Sequence, residues 1–202
     1  MRQPYDRHRR GAEECRNCLR FLHGFAEVHP PGQSKTDTYK MVIRLRYDPS
    51  AWEASGSGVD DLIGLLTLTP WAAPSRNWQT LYHEIGHCFQ YQVHCDNGNQ
   101  NGWMYAPGNG NGCAFWEQCA QWQAYKIMPA DQFNNEWFDG YLQNVHKHIL
   151  HESPRYNNYF IQDYWCYKHG MDFMGRFGTK AGTRRMPSRL ICVLRHHGQR
   201  IQ

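Results

Sequence analysis

The sequence predicts an α+β protein, with a small mixed or antiparallel sheet followed by a mostly helical core. Two segments in the first third of the chain have the residue patterns of strands, and most of the later chain has the apolar spacing of helices. The 202 residues, 41% of them hydrophobic and 20% charged, are enough for one domain with its own core.

The two predicted strands are joined by a turn. Residues 38–47 (TYKMVIRLRY) alternate apolar and basic side chains, which is typical of a strand buried on one face. Residues 62–69 (LIGLLTLT) form a second strand, which ends at Pro70. Between them, residues 53–61 (EASGSGVDD) are rich in glycine, serine and aspartate, so a turn is predicted there.

Apolar residues at helical spacing predict four helices after the strands. They cover residues 77–92, 114–127, 132–149 and 156–169. A segment rich in asparagine and glycine, residues 96–112, separates the first two helices. Long loops in compact domains are often functional, and Trp103 and Tyr105 lie at the centre of this one.

The charge distribution argues against a nucleic-acid partner. The formal net charge is +4, but the basic residues crowd the two ends of the chain instead of following a folded face. No apolar run reaches the roughly 18 residues that a membrane-spanning helix needs, so no transmembrane segment is expected. Met1 is not followed by an apolar h-region, so no signal peptide is visible.

The stretch TLYHEIGHCFQ, residues 80–90, contains a candidate metal site. In a helix, His83 and His87 are separated by about 40° around the axis and about 6 Å along it, so both imidazoles can bind one ion. Two imidazoles suit Zn²⁺, and Glu84 lies beside them as a candidate general base. The alternative is a helix with two surface histidines. Gly86 argues against it, because glycine costs about 1 kcal/mol in a helix interior and so indicates a close packing contact.

A hydrolytic zinc site needs a third protein ligand and an open fourth position. The extended zinc motif H-E-x-x-H-x-x-G-x-x-H is absent, because Gln90 stands in place of its glycine and Val93 in place of its third histidine. Glu117 is the candidate ligand, since it lies on its own predicted helix among apolar residues, where an unpaired carboxylate is costly to bury. A surface glutamate is the alternative.

His83, Glu84 and His87 with the later Glu117 resemble the gluzincin-type zinc metallopeptidases, the thermolysin-like clan. More narrowly, four stretches are similar to a bacterial family of uncharacterised secreted metallopeptidases. They are ASGSGVDDLIGLLTLTPWAA, HEIGHCFQYQVHCDNG, WEQCAQWQAYK and HKHILHESPRYNNYFIQDY. The resemblance implies a zincin-like catalytic domain over residues 33–176 and a longer parent protein.

The resemblance implies a zinc-dependent peptidase with one zinc ion per chain. His83, His87 and Glu117 would hold the ion, and Glu84 would take a proton from its bound water and pass it to the leaving amine. The strand over residues 62–69 would line the cleft as an edge strand that pairs with an extended peptide.

Two parts of this site stay open. Such enzymes usually add a tyrosine or histidine that stabilises the oxyanion. The candidates are His146, His148, His151, Tyr156, Tyr159 and Tyr164. Thermolysin also has an aspartate that orients a histidine ligand, whereas Gln121 stands four residues after Glu117 here. The orienting carboxylate therefore either comes from elsewhere, with Asp60 and Asp61 as candidates, or is missing.

A second hypothesis is an inactive metallopeptidase-like module that binds glycan or protein. Eight tryptophans, with Trp103 and Tyr105 in the long loop, would suit stacking on sugars. The alternative is that Trp103 packs under its own loop. The expected partner is a protein or glycoprotein substrate, and the family resemblance implies a secreted or cell-surface protein.

Residues 1–32 and 177–202 differ from the rest and are predicted to be read out of frame. The last segment has little apolar content and no clear helical or strand period, and a basic tail is the alternative. One back-translation of residues 177–193, read in a shifted frame, spells WNESRHPEDAIEAYMR, which has the start and apolar spacing of a helix. The nucleotide sequence of the gene tests this hypothesis. Its codons should spell helix-like text in another frame near residues 30 and 177, and the hypothesis is wrong if they do not.

Overall fold

The computed structural model describes residues 32–70, 72, 78–98, 113–148 and 151–180. Within these ranges a three-stranded sheet is followed by five α-helices, so the predicted α+β class is confirmed. None of these helices is long and apolar enough to cross a membrane. Trp103 and Tyr105 lie outside the described residues, as does nearly all of both predicted end segments.

The sheet is mixed, with strand order β1-β3-β2. Strand β1 is Val42–Leu45, β2 is Ala54–Val59 and β3 is Ile63–Leu68. The central strand β3 runs parallel to β1 and antiparallel to β2, with Gly56 opposite Leu66. The expectation that residues 62–69 form an edge strand is wrong, because β3 pairs on both sides and its side chains are largely buried.

The segment predicted to be a turn contains a strand. Residues 54–59 of that segment form β2, and the chain reverses at Asp60 and Asp61. Both aspartates have positive φ, 55° and 51°, which matches the backbone of a type I′ hairpin turn. The glycine that indicated a turn has a steric role instead, since a Cβ on Gly56 would overlap the backbone carbonyl of Glu84.

Helix α1, Trp78–Asp96, lies between the sheet and helix α2, Cys113–Ile127. Gly86 faces α2, where a Cβ would lie 3.3 Å from the Ala120 Cα and would overlap the Gln123 amide. The close packing contact predicted from Gly86 is confirmed. It lets the two helices approach beside the histidines.

The helix boundaries follow local capping signals. Helix α1 continues about one turn past residue 92 and ends before Gly98, whose φ is 66°. Helix α3, Glu136–Asn144, is shorter than predicted, because the Asn135 side chain accepts a hydrogen bond from the Phe138 N–H and fixes the start. Two helices follow, α4, Phe160–His169, and α5, Phe173–Lys180, of which α5 was not predicted.

Strand β1 is less buried than its sequence predicts. The alternation over residues 38–47 predicts one buried face, yet all four residues of β1 are exposed, Ile43 by 56% and Leu45 by 73%. The core lies instead around α1 and α2, where Phe89 and Trp122 are fully buried. The sheet therefore supports the site through β2 and β3.

Gly56→Ala should destabilise the protein, because the added methyl would lie 2.7 Å from the His87 Cβ and would overlap the Glu84 carbonyl. We expect a loss of about 1–3 kcal/mol in the free energy of unfolding, as for other overpacked sites. Urea titration followed by circular dichroism measures it. Ser55→Ala changes an exposed residue of the same strand and should have little effect. Equal stability of the two variants would contradict the close contact.

Candidate metal centre

His83 and His87 lie one turn apart on α1 and meet at one point. Both are almost fully buried, with 6% and 5% relative exposure, and their ring centroids are 4.5 Å apart. One ligand atom from each of His83, Glu84 and His87 lies within 4.8 Å of the others, so this group could hold a metal ion. The helical spacing that predicted a shared ion therefore brings the two imidazoles together.

Glu117 of α2 is the carboxylate that contacts both imidazoles. Its Oε2 lies 3.0 Å from His83 Nε2 and 3.1 Å from His87 Nε2. Ligands held tetrahedrally at about 2.0–2.1 Å from zinc are about 3.3–3.4 Å apart, so each imidazole nitrogen lies at nearly the separation from the Glu117 oxygen that a shared ion requires. The predicted third ligand thus lies against the predicted histidines, although it comes from another helix.

These contacts shift the pKa of Glu117 and His87 in opposite directions. Burial raises the pKa of Glu117, but the hydrogen bonds from His83 and His87 outweigh it and lower this pKa to about 2. Burial lowers the pKa of His87, but the hydrogen bond and the negative charge of Glu117 outweigh it and raise this pKa above its usual value. Without a metal ion, a second proton on an imidazole therefore stabilises the buried carboxylate.

Glu84 is held by the sheet. The Gly56 N–H of β2 donates a hydrogen bond to Glu84 Oε2 at 2.6 Å. This contact depends on the glycine, because a side chain at position 56 would push the strand away from α1. The candidate general base is therefore fixed beside the imidazoles by a backbone group.

Two buried glutamines bind the other ring nitrogens. His83 Nδ1 lies 2.8 Å from Gln121 Oε1, and His87 Nδ1 lies 2.7 Å from Gln90 Oε1. The sequence contains a signal for both, since Gln121 is one turn after Glu117 on α2 and Gln90 is three residues after His87 on α1. Neither glutamine was predicted in this role, because a carboxylate was expected there.

The expectation that Asp60 or Asp61 orients a histidine ligand is wrong. Asp61 accepts a hydrogen bond from the Tyr91 hydroxyl at 2.8 Å, and Asp60 lies exposed beside it in the hairpin turn. In contrast, the amide oxygens of Gln90 and Gln121 lie within hydrogen-bond distance of the ring nitrogens. Neutral amides therefore bind both imidazoles, where a single carboxylate was the only orienting group considered.

Aromatic rings border the imidazoles on both sides. The Trp116 ring stacks on His87 at 5.1 Å, and the Tyr156 ring lies 5.8 Å from His83. Among the candidates for oxyanion stabilisation, Tyr159 donates its hydroxyl hydrogen bond to the Gln132 carbonyl instead. Tyr156 is thus a candidate whose ring lies next to a predicted metal ligand.

Glu117→Gln should change the acid stability of the metal-free protein. Because the pKa of Glu117 is lowered from 4.5 to about 2, its charge stabilises the fold above pH 4.5, and this contribution is lost as the pH falls toward 2. The difference in unfolding free energy between wild type and Glu117→Gln should therefore shrink between pH 5 and pH 3. Urea titrations with chelator measure it. A difference in unfolding free energy that does not change with pH would contradict the lowered pKa of Glu117.

Comparison with known proteins leaves the chemistry of this site open. No curated protein and no solved structure matches the chain. One family model, described as a family of unknown function (DUF6055), matches residues 16–194. The match includes parts of both end segments, and the division of the chain at residues 32 and 177 stays a prediction. Because the matched range covers most of the 202 residues, the chain belongs to the DUF6055 family.

Proposed function

We propose that the protein is a zinc-dependent peptidase in which His83, His87 and Glu117 bind the metal. The observation that carries the proposal is the contact of one Glu117 oxygen with both imidazole Nε2 atoms, at 3.0 and 3.1 Å. Two imidazoles and one carboxylate are a donor set that suits zinc in hydrolytic sites, where the fourth position stays open. The burial and spacing of the three donors fit one ion per chain.

Glu84 is the proposed general base. Zinc bound at this site would act as a Lewis acid that polarises the scissile carbonyl and lowers the pKa of a coordinated water to about 7. Glu84 would accept a proton from the attacking water and deliver it to the leaving amine. The Gly56 N–H would keep the carboxylate oriented for both transfers through its hydrogen bond to Oε2.

The outer edge of β2 is the proposed binding site for the substrate backbone. In an antiparallel pair, alternate residues direct their backbone groups toward the partner strand and away from it. The Gly56 N–H binds Glu84, so the backbone groups of Gly56 point away from β3. Ala54 and Gly58 lie two residues before and after Gly56, so their backbone groups point to the same outer side. An extended peptide pairing there would run past Glu84, which favours a peptidase over a hydrolase of small molecules.

The alternative function is an inactive module that binds glycan or protein. Its supporting observation is the group of aromatic rings at the site, where Trp137 lies 5.2 Å from Tyr156, and Trp116 stacks on His87. A peptidase that acts on glycoproteins outside the cytoplasm would use both features. Detection of the full-length protein in the culture medium or on the cell surface tests this location.

Glu84→Gln should keep zinc and lose peptidase activity by roughly 10²–10⁴-fold, because an amide cannot accept the proton. Atomic absorption measures zinc, and chelator-sensitive cleavage of a denatured protein or a mucin-like substrate measures activity. Glu136→Gln, an exposed glutamate of α3, should retain both. Equal cleavage by Glu84→Gln and wild type would exclude the general base. One zinc per chain without cleavage in wild type would favour the binding module.

Tyr156→Phe should lower kcat by roughly 10²–10³-fold while zinc stays bound, if the hydroxyl stabilises the oxyanion. Steady-state kinetics on a peptide substrate measure this effect. Tyr164→Phe is the control, because Tyr164 is exposed and its ring lies beside Lys168. If both variants keep wild-type kcat, Tyr156 is a wall of the cleft.

A further inference from the structure

We infer that Gln90 and Gln121 are positioning residues that orient the imidazoles of His87 and His83 with their Nε2 lone pairs toward Glu117. Each amide oxygen accepts a hydrogen bond from a ring Nδ1–H, at 2.7 and 2.8 Å. The inference rests on the proposed metal site. It gives each of the two histidine ligands a buried neutral partner.

The orientation of the Gln90 amide follows from a backbone group. The carbonyl oxygen of Trp116 can only accept, and it lies 3.0 Å from Gln90 Nε2, so the amide nitrogen donates to it. Gln90 Oε1 therefore faces His87 as an acceptor. Since that oxygen has no hydrogen to give, His87 carries a proton on Nδ1. In the metal-bound protein, where the imidazole is neutral, Nε2 then has the lone pair that binds the ion.

Gln121 plays the same part for His83 from the neighbouring helix. Gln79 Nε2 donates to Gln121 Oε1, the same oxygen that faces His83 Nδ1. Gln121 is 1% exposed and lies one turn after Glu117, so docking of α2 delivers a ligand and an orienting group together. The amide oxygen of Gln121 thus lies between two hydrogen-bond donors.

Neutral orienting groups also suit the charge of the site. Glu84 and Glu117 carry two negative charges between them, and a divalent cation would balance both. A carboxylate in place of either amide would add an uncompensated negative charge among residues that are almost fully buried, which is costly. The amides orient the rings without that charge.

The test compares zinc affinity among matched glutamine variants of the full chain. Gln90→Met and Gln121→Met remove the acceptor and keep an unbranched side chain. Gln92→Met and Gln118→Met are the controls, because these glutamines are equally buried on the same two helices. Gln92 bonds to the Gly64 N–H and Gln118 to the Gln162 amide. Competition with a chromophoric chelator measures the affinity, and circular dichroism checks the fold.

We expect the two positioning variants to lose roughly 10–100-fold in zinc affinity relative to their controls, as for other groups that orient metal ligands. Gln121→Glu should keep zinc within roughly tenfold of wild type, because a carboxylate can accept the same proton, while its added buried charge lowers the stability of the fold. Nitrogen-15 NMR of zinc-loaded wild type labelled at histidine should show protonated Nδ1 on both rings.

Equal affinity of Gln121→Met and Gln118→Met, or of Gln90→Met and Gln92→Met, would overturn the inference and leave the proposed metal site intact. If Gln121→Met does not fold, loss of zinc by folded Gln121→Glu would overturn it for His83. Absence of zinc binding by wild type would overturn the proposed metal site and the inference together.

Discussion

The contact of Glu117 with His83 and His87 is the interaction on which the rest of the site depends. One carboxylate oxygen from α2 lies against two imidazole nitrogens of α1, and all three residues are largely withdrawn from water. Such a group of acceptor atoms is stable only with a cation between them or a proton on one of them. The fold must therefore hold two helices at a fixed distance.

Small residues set that distance. Gly86, one residue before His87, leaves room for the backbone of α2 at Ala120. On the opposite side, Gly56 lets β2 approach α1 until its N–H reaches Glu84. The turn of α1 that carries His83, Glu84 and His87 is thus enclosed between β2 and α2, and both of these elements contribute polar groups to it. Packing and chemistry depend on the same two glycines.

Local patterns were enough to predict the helix that carries the histidines, the helix that carries Glu117 and a strand at residues 62–69, because apolar residues recur along each of them. The same patterns were misleading where tertiary contacts decide. Residues 54–59 have the composition of a turn, yet they form a strand because glycine is needed beside α1. The alternation of apolar and basic residues around β1 predicted a buried face, but it does not encode whether another element covers that face.

In the site, too, the local pattern predicted some groups, whereas tertiary contacts determine others. The two histidines and Glu84 follow from spacing on one helix, whereas the partner of the Glu84 carboxylate is a backbone N–H that no side-chain pattern encodes. Gln90 and Gln121 were overlooked because a carboxylate was expected in this role. Their burial, which is unusual for glutamine, depends on the docking of α2.

The placement of Glu117 and Gln121 on successive turns of α2 restricts how this family can vary in length. Each residue of an α-helix turns the chain by about 100°. A single insertion or deletion between these two positions would direct one side chain away from α1 while the other stayed in place. Homologous chains should therefore tolerate gaps in the segment before α2 far better than within residues 117–121.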